Sequence, residues 1–271
     1  MEPDIAGLTE GSYFTNENTF TLTNHPRRMV VIGVGPIGCE LAQSFQRLGS
    51  EVSLLTHGHC ILPKEDQEAG EIVRRHMERD GVKVLVKAEP MRLEIRGGEK
   101  NLTFVRDSRE EPFFCDALLV GAGRSPNVEG LGLEAAGVNY SPQGVEVYDR
   151  LRTSNPRIYA AGDICSRFKF THAANAMARV VLANALFLGR RKSSALVIPW
   201  CTYTDPEVAH VGHYESDALA ANLDVTTIRE SLKDNDRALL DGEEDGFAQI
   251  HYDRKTVKSW EEPSSRGTPV R

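Results

Sequence analysis

The feature that most constrains this chain is a glycine-rich turn set between an apolar run and a helical pattern. Met29-Val30-Val31-Ile32 is continuously apolar, as in a strand buried on both faces of a parallel sheet. The turn has the pattern GxGxxG, and apolar residues then recur at helical spacing as far as Gly49. The turn consists of Gly33, Val34, Gly35, Pro36, Ile37 and Gly38. Strand, turn and helix in this order predict the first part of a dinucleotide-binding βαβ unit.

Each glycine of the turn has a separate predicted role. Gly33 permits the tight turn, Gly35 lets a pyrophosphate approach the backbone, and Gly38 lets the helix lie close to the sheet. The N-terminus of the helix then faces the phosphates. The alternative is a glycine-rich turn that binds no ligand, and the motif alone does not exclude it.

The apolar pattern continues to alternate between strand and helix after Gly49. A hairpin signal at 96–99 interrupts this alternation and predicts an antiparallel insertion. Further on, we expect a short strand at 157–161 and a helix from about 171 to 188. The other predicted elements are a strand at 52–55, a helix at 69–77, a strand at 82–86, the hairpin strands at 91–95 and 102–105, and a buried strand at 117–120. This order predicts an α/β fold with a right-handed, parallel, Rossmann-like sheet.

The end of the second strand bears on the choice between NAD and NADP. A carboxylate there normally accepts the ribose 2′-hydroxyl of NAD, but the sequence has Thr56 at that point. A 2′-phosphate would not be repelled, and His57, His59 or Lys64 could meet it, so both cofactors stay open. Reading His57, His59 and Cys60 as metal ligands is disfavoured because it needs a fourth converging group.

Two acidic residues can each be interpreted as structural or as functional. Glu40, just inside the first predicted helix, is either a first-turn acid favoured by the helix dipole or a residue beside the path of the nicotinamide. Asp163 follows a predicted strand and a glycine, and is either a loop or N-cap residue or a ligand-binding one.

Composition narrows the classes of partner. The 271 residues carry 32 basic and 39 acidic side chains, a formal net charge of −7, which argues against nucleic acid or anionic lipid as the main partner. With no signal peptide or membrane-spanning run in view, we expect a cytoplasmic protein. The five cysteines are at least 21 positions apart, so we expect reduced, mostly buried thiols and not a disulfide framework.

Four motifs in order resemble one known family. They are GVGPIGCE followed by LAQSFQRLGSEV, then VGAGRSPN, IYAAGDI and PWCTYTDPEVAHVG. Together they resemble the flavoprotein pyridine nucleotide-disulfide oxidoreductases, over residues 5 to 258. The runs GPIGCELAQ and NDRALLDGEEDGF are most similar to the mercuric-reductase-like branch, with dihydrolipoamide dehydrogenases close behind.

The resemblance implies roles by position. Gly33 to Glu40, which includes Cys39, would hold NAD(P), with Thr56 at the ribose and Gly123 lining the same cofactor. Asp163 would hydrogen-bond the ribityl chain of FAD, and the turn at 171–174 would approach the flavin. The implied domains are a connector (1–27), the NAD(P)-binding Rossmann domain with its antiparallel insertion (28–118), a second segment of the FAD-binding domain (119–192) and a truncated α+β dimerisation domain (193–271).

The resemblance also implies an activity, namely hydride transfer from NAD(P)H to flavin and then to a cysteine disulfide, in a homodimer. The chain departs from the family pattern because we find neither the N-terminal FAD unit with its redox cysteines nor the second half of the dimerisation domain. We therefore expect a fragment without turnover, and we hypothesise that its tail, Ser259 to Arg271, is frameshifted. The alternatives are a dihydrolipoamide dehydrogenase, a non-catalytic nucleotide-binding protein or a degraded gene product.

Overall fold

The computed structural model describes residues 3–97, 99–220, 224–254 and 258–259. The chain divides into two compact units. The first consists of Met1–Gly123, Cys201–Ala209 and Arg229–Gln249, and the second of Arg124–Trp200, His210–Ile228 and Ile250–Arg271. The hypothesised frameshifted tail, Ser259 to Arg271, lies outside the described residues except for Ser259.

The described elements follow the predicted alternation for the first 120 residues. In chain order they are β1 (Arg28–Ile32), α1 (Pro36–Arg47), β2 (Glu51–Leu55), α2 (Gln67–Arg79), β3 (Lys83–Leu85), β4 (Glu89–Arg96), β5 (Glu99–Arg106), β6 (Arg109–Cys115), β7 (Ala117–Val120), β8 (Tyr140–Ser141), β9 (Gly144–Val145), α3 (Thr171–Leu186), β10 (Trp200–Thr202), β11 (Val208–His210), α4 (Glu215–Ala220), β12 (Val225–Ser231), α5 (Asp236–Asp241), β13 (Phe247–Asp253) and β14 (Lys258–Ser259).

A parallel sheet of order β3-β2-β1-β7 forms the centre of the first unit. Successive side chains of a strand point to opposite faces, and β1 therefore contributes to two cores. Met29 and Val31 pack with residues of α1 and α2 on one face. Val30 and Ile32 pack with residues of the antiparallel insertion on the other. Because both faces are covered, the continuously apolar run predicted for this strand is confirmed, as is the α/β fold class.

The antiparallel insertion has three strands, of order β4-β5-β6, one more than the hairpin predicted. The strand β6, REEPFFC, was not predicted because it begins with three charged residues and a proline instead of an alternating apolar pattern. Its two-residue connection, Asp107-Ser108, has positive φ at both residues (49° and 62°). This is the backbone of a tight hairpin turn without the Asn-Gly or Asp-Gly pair that usually marks one.

Residues before β1 pack onto the first unit. Ile5 and Leu8 are buried in the core beneath the insertion. Phe14 bridges to β7, donating its backbone N–H to Leu118 (2.7 Å) and accepting from Val120 (2.8 Å). The segment predicted as a connector thus contributes apolar side chains to the core. The predicted boundaries at 27/28, 118/119 and 192/193 stay predictions.

The second unit has less regular structure. Its buried cluster contains Leu151, Met177 and Val180, with four partly buried residues packed against it. The strand predicted at 157–161 is wrong, because the segment makes only an irregular pairing with residues 151–153, with one bridge between Arg152 and Tyr159. A short apolar run is not enough for a strand where no extended neighbour lies beside it. The predicted helix at 171–188 is present as α3.

Candidate functional site

The three glycines of the turn after β1 differ sharply in their surroundings. Gly33 has φ +110°, and a Cβ atom there would lie 2.5 Å from the carbonyl oxygen of Gly121. At Gly38 a Cβ would run into the carbonyl oxygen of Gly33. Gly35 has φ −73°, and a Cβ there would meet no atom within 4 Å. Gly33 and Gly38 therefore serve the packing of turn, helix and sheet, whereas Gly35 faces open space.

The open space at Gly35 lies at the N-terminus of α1. Gly35 is the N-cap residue and Pro36 the first helical residue, and this described helix has no acidic side chain in its first turn. The first N–H groups of a helix have no partner within it, and the helix dipole places partial positive charge there. The geometry suits an anion such as a pyrophosphate.

Val34 and Cys39 help to hold the turn in place. The carbonyl oxygen of Val34 accepts from the Leu62 backbone N–H at 2.9 Å, and the Cys39 thiol lies 3.4 Å from the same oxygen. Both side chains are buried. Burial raises the pKa of the Cys39 thiol to about 12, and the charge of Glu40 adds to this. Cys39 is therefore a packed, uncharged side chain, and Ile37 beside it is half-buried.

Gly121 and Gly123 follow β7, the strand next to β1. Gly121 donates its N–H to the carbonyl oxygen of Ile32 at 2.7 Å, so this loop begins beside the glycine turn. Gly123 has φ +102°, and a Cβ there would meet nothing within 4 Å. The carboxyl ends of parallel strands are the edge at which α/β sheets bind ligands, and both loops leave the sheet at that edge.

Thr56 directly follows β2, at the same edge of the sheet. It is buried, and its hydroxyl oxygen accepts from the Gly58 backbone N–H at 3.0 Å. His57, His59 and Lys64, the candidate partners of a 2′-phosphate, are all exposed. No group of three or more His, Cys, Asp or Glu in the described part of the chain could hold a metal ion.

Glu40 lies beyond the first turn of α1, so the reading of it as a first-turn acid is wrong. Its carboxylate accepts from the backbone N–H of Tyr203 at 2.9 Å, in a segment 163 positions away along the chain. The side chain is half-buried, and this burial raises its pKa, against a lowering effect of the Tyr203 bond. Glu40 is thus a carboxylate held in a fixed position one turn from the open space at Gly35.

Asp163 lies in the second unit, in the loop before α3. Its carboxylate is 3.6 Å from the Arg124 guanidinium, and its carbonyl oxygen accepts from the Lys169 ammonium at 2.8 Å. A Cβ on the preceding Gly162 would lie 3.0 Å from the Cβ of Ala174, so the loop packs closely on the first turns of α3. Phe170, the N-cap residue of α3, makes no side-chain capping bond. Asp163 is exposed beside a helix N-terminus.

Sequence reasoning missed the residues that hold the segment at 203–205 against α1. Gln43, which is 3% exposed, hydrogen-bonds the backbone of Asp205, and Arg47 forms an ion pair with the Asp205 carboxylate. The available signal was a glutamine on the apolar stripe of α1, between Ala42 and the half-buried Phe45. A polar residue there needs a partner from elsewhere in the fold.

The five cysteines are free. Cys39 and Cys115 are buried, Cys165 and Cys201 are half-buried, and Cys60 is exposed. Burial raises the pKa of Cys115 and of Cys165 to about 11 each, and it raises that of Cys201. Four of the five thiols are therefore held in the unreactive, protonated form at neutral pH.

Comparisons with known proteins agree with this geometry. Residues 1–178 match the model of the pyridine nucleotide-disulphide oxidoreductase family, and residues 198–258 match that of its dimerisation domain. The chain is 34% identical to a mercuric reductase from Staphylococcus aureus over 257 residues, which cover 94% of this chain and 47% of that protein. It is 33% identical to a dihydrolipoyl dehydrogenase from Bacillus subtilis (strain 168), covering 87% of this chain and 51% of that protein.

Solved structures match as well. LpdA from Mycobacterium tuberculosis superposes with a TM-score of 0.82 at 26% identity, covering 91% of this chain and 53% of that one. The HOCl-induced flavoprotein disulfide reductase RclA from Escherichia coli superposes with a TM-score of 0.84 at 24% identity, covering 96% and 59%, and its likeness concerns the fold.

The chain spans about half the length of the curated relatives it matches. None of the helices that the structure describes is both long and apolar enough to cross a membrane. Family members are FAD-binding flavoproteins that use NAD(P)H. Together the glycine turn, the fold and the match over residues 1–178 show that this chain belongs to the pyridine nucleotide-disulphide oxidoreductase family.

Proposed function

We propose that this chain is the NAD(P)H-binding part of an FAD-dependent, mercuric-reductase-like NAD(P)H:disulfide oxidoreductase. The observation that carries the proposal is the contrast among the three glycines of the turn. Two of them are required by packing, but a Cβ atom at Gly35 would meet nothing within 4 Å, so packing does not explain the glycine there. The approach of a ligand to the backbone does explain it.

The residues of the first unit fit a nicotinamide dinucleotide. The N-terminus of α1, with Gly33 to Gly38, would hold the pyrophosphate, and Thr56 would lie at the adenosine ribose. Gly123 and the half-buried carboxylate of Glu40 would line the nicotinamide half, where the ribose hydroxyls and the carboxamide offer donors. The Thr56 hydroxyl, in place of the usual ribose-reading acid, gives no strong preference for NAD over NADP.

The residues of the second unit fit a supporting role at FAD. We assign Asp163 and the turn at 171–174 to this cofactor, since an exposed carboxylate and a helix N-terminus without a side-chain cap stand together there. When bound, the nicotinamide supplies a hydride and the flavin accepts it. The task of this chain's own residues is to bind and orient the two cofactors.

The identity of the electron acceptor distinguishes two candidate activities. Mercuric reductases and dihydrolipoyl dehydrogenases match at 34% and 33% identity, so the second activity stays as an alternative. We further propose that these 271 residues alone have no disulfide-reductase or mercuric-reductase turnover, because the five cysteines are unpaired and most have raised pKa values. The homodimer and the cytoplasmic location stay predictions.

The test uses the purified full chain. We expect it to bind NADH or NADPH, to hold FAD weakly, and to oxidise NAD(P)H no faster with a disulfide or Hg(II) than without one. Flavin absorbance that appears on the protein when FAD is added in excess favours the flavoprotein, and a chain that binds nucleotide but no added FAD favours the non-catalytic alternative. Cysteine-dependent turnover at a rate typical of enzymes, on the order of 10 per second, would contradict the proposal.

A further inference from the structure

One face of α1 is occupied by side chains that bind the segment at 203–205. Glu40, Gln43 and Arg47 are three and four positions apart and so share that face. Glu40 accepts from the Tyr203 backbone N–H at 2.9 Å. Arg47 donates through Nη2 to the Asp205 carboxylate at 2.6 Å. Helix α1, which begins at the glycine turn, therefore also binds a segment that is distant along the chain.

Gln43 makes the most specific of these contacts. Its Nε2 donates to the carbonyl oxygen of Asp205 at 2.8 Å, and its Oε1 accepts from the N–H of the same residue, also at 2.8 Å. The amide thus fixes both the position and the direction of the Asp205 backbone. Nε2 also donates to the Asp80 carboxylate at 2.9 Å, and Arg47 donates to the same oxygen through Nε at 2.7 Å.

Gln43, Arg47, Asp80 and Asp205 form one network, in which both the nitrogen and the oxygen of the buried Gln43 amide have hydrogen-bond partners. Such an amide is costly to misplace, because an unpaired buried polar group loses its hydration without compensation. The network therefore holds the 203–205 segment in one register against α1. Tyr203, two positions before Asp205, presents its N–H to Glu40 as a consequence of that register.

Residues on either side of the segment lie near α1. Val208, three positions after it, packs against the buried cluster that contains Val34 and Cys39. The pKa of Cys201, two positions before it, is raised by burial first, and then by the charges of Glu207 and Glu40. Glu40, which binds Tyr203 and lies five positions after Gly35, is thus close both to the segment and to the start of α1.

We propose that Gln43 and Arg47 are positioning residues for the nicotinamide half of the dinucleotide. By holding Asp205 against α1 they fix the hydrogen bond between Tyr203 and Glu40, and so set the position and orientation of the Glu40 carboxylate. The inference rests on the proposed function, in which the glycine turn binds the pyrophosphate. Neither residue touches the dinucleotide, and the adenosine and pyrophosphate contacts do not depend on them.

The experiment compares a whole dinucleotide with one that lacks nicotinamide. Binding of NADH and NADPH is measured by reduced-nicotinamide fluorescence, and binding of ADP-ribose by competition. In Gln43→Met, which keeps the length of the side chain, we expect the Kd of the reduced dinucleotide to rise about tenfold. The Kd of ADP-ribose should stay within about twofold, because the glycine turn is untouched.

Gln46→Met is the matched control. Gln46 lies on the same helix, and its side-chain oxygen also accepts a backbone N–H, but from Val52 at the start of β2 (2.9 Å). This variant should leave the ratio of the two Kd values unchanged. A merely structural role of Gln43 would weaken both ligands equally, and that result would overturn the inference, as would no change in either Kd.

A second variant tests the inference in case the Gln43→Met protein does not fold. Arg47 is exposed, and Arg47→Met removes the contact with the Asp205 carboxylate while leaving the Gln43 contacts in place. We expect about a threefold rise in the Kd of the reduced dinucleotide and none for ADP-ribose, and an unchanged ratio would contradict the inference. If wild-type protein fails to bind ADP-ribose, the proposed function itself is overturned. If ADP-ribose binds normally but the ratio of the two Kd values is the same in wild type and variant, only the present inference is overturned.

Discussion

The two units of this chain bury their apolar residues to very different degrees. In the first, all four residues of β7 and four of the five in β1 are buried, and both faces of the sheet carry a core. In the second, α3 has 16 residues but buries only Ala173, Met177 and Val180. Leu186 and Phe187 are 67% and 77% exposed.

The difference shows which part of the chain can be stable by itself. Buried apolar area is the main favourable contribution to folding, and the first unit has most of it. The second unit leaves apolar side chains of α3 in water, a surface that favours association. The proposed dinucleotide site therefore lies on the unit with the larger core, and Asp163 lies on a unit with little core of its own.

The largest expected effect comes from core substitutions in the two units. Leu54 of β2 is fully buried, and Leu54→Ala should lower the free energy of unfolding of the first unit by about 3 kcal/mol. Met177→Ala in α3, whose surroundings are sparse, should cost less than half of this. Hydrogen exchange resolved by segment measures both, and wild-type amides of α3 should exchange much faster than those of β1. Equal protection of the two segments would contradict the comparison.

Thiol reactivity gives a second, somewhat smaller contrast. At pH 8 an alkylating agent should modify the exposed Cys60 at least a hundredfold faster than Cys39, because burial raises the pKa of Cys39 to about 12. Mass spectrometry of peptides after timed labelling measures the rates. A Cys39 that reacts as fast as Cys60 in folded protein would show that the core around α1 opens readily.

The same shift has a consequence for stability. The pKa of Cys39 is higher in the folded chain than its ordinary value of 9.0. Its contribution is therefore fully present below pH 9 and is lost as the pH rises toward 12. Denaturation of the first unit should accordingly become easier over that range, and less so in Cys39→Ala.

The smallest expected effect concerns the choice of cofactor. Wild-type protein should discriminate between NADH and NADPH by less than about a hundredfold, because a single bidentate carboxylate contact contributes only a few kcal/mol. Thr56→Glu should shift the preference toward NADH, although it also removes the bond that the Thr56 hydroxyl accepts from Gly58. A wild-type preference for NADH of more than a thousandfold would mean that another group reads the ribose.

The first unit was largely predictable from sequence, since its signals are local. The apolar run of β1, the glycine turn and the helical period of α1 each lie within a few residues of one another. The strand β6 was missed because its charged first half with a proline, and the Asp107-Ser108 turn before it, carry no strong local signal. The strand expected at 157–161 was wrong because strand formation depends on a neighbour that sequence does not specify.

The site was predictable only in part for the same reason. The glycines could be located by their spacing, but the contacts of Glu40 with Tyr203 and of Gln43 with Asp205 join residues more than 160 positions apart. The sequence offered one hint, a glutamine on an apolar helix face, and no means of finding its partner.

Two glycine variants test whether the turn at Gly33–Gly38 binds the pyrophosphate of a dinucleotide. Gly35→Val should fold as stably as wild type, since a Cβ there meets nothing within 4 Å. It should nevertheless weaken NAD(P)H binding ~100-fold by displacing a charged ligand from backbone N–H groups. Gly38→Ala should instead destabilise the first unit by ~2 kcal/mol, because its Cβ meets the Gly33 carbonyl.

The deciding measurement is the titration of wild-type and Gly35→Val protein with NADH and NADPH, beside their thermal unfolding. We expect equal melting temperatures and a large loss of affinity in the variant. Equal affinity in the two proteins would contradict the assignment of this turn as the dinucleotide site.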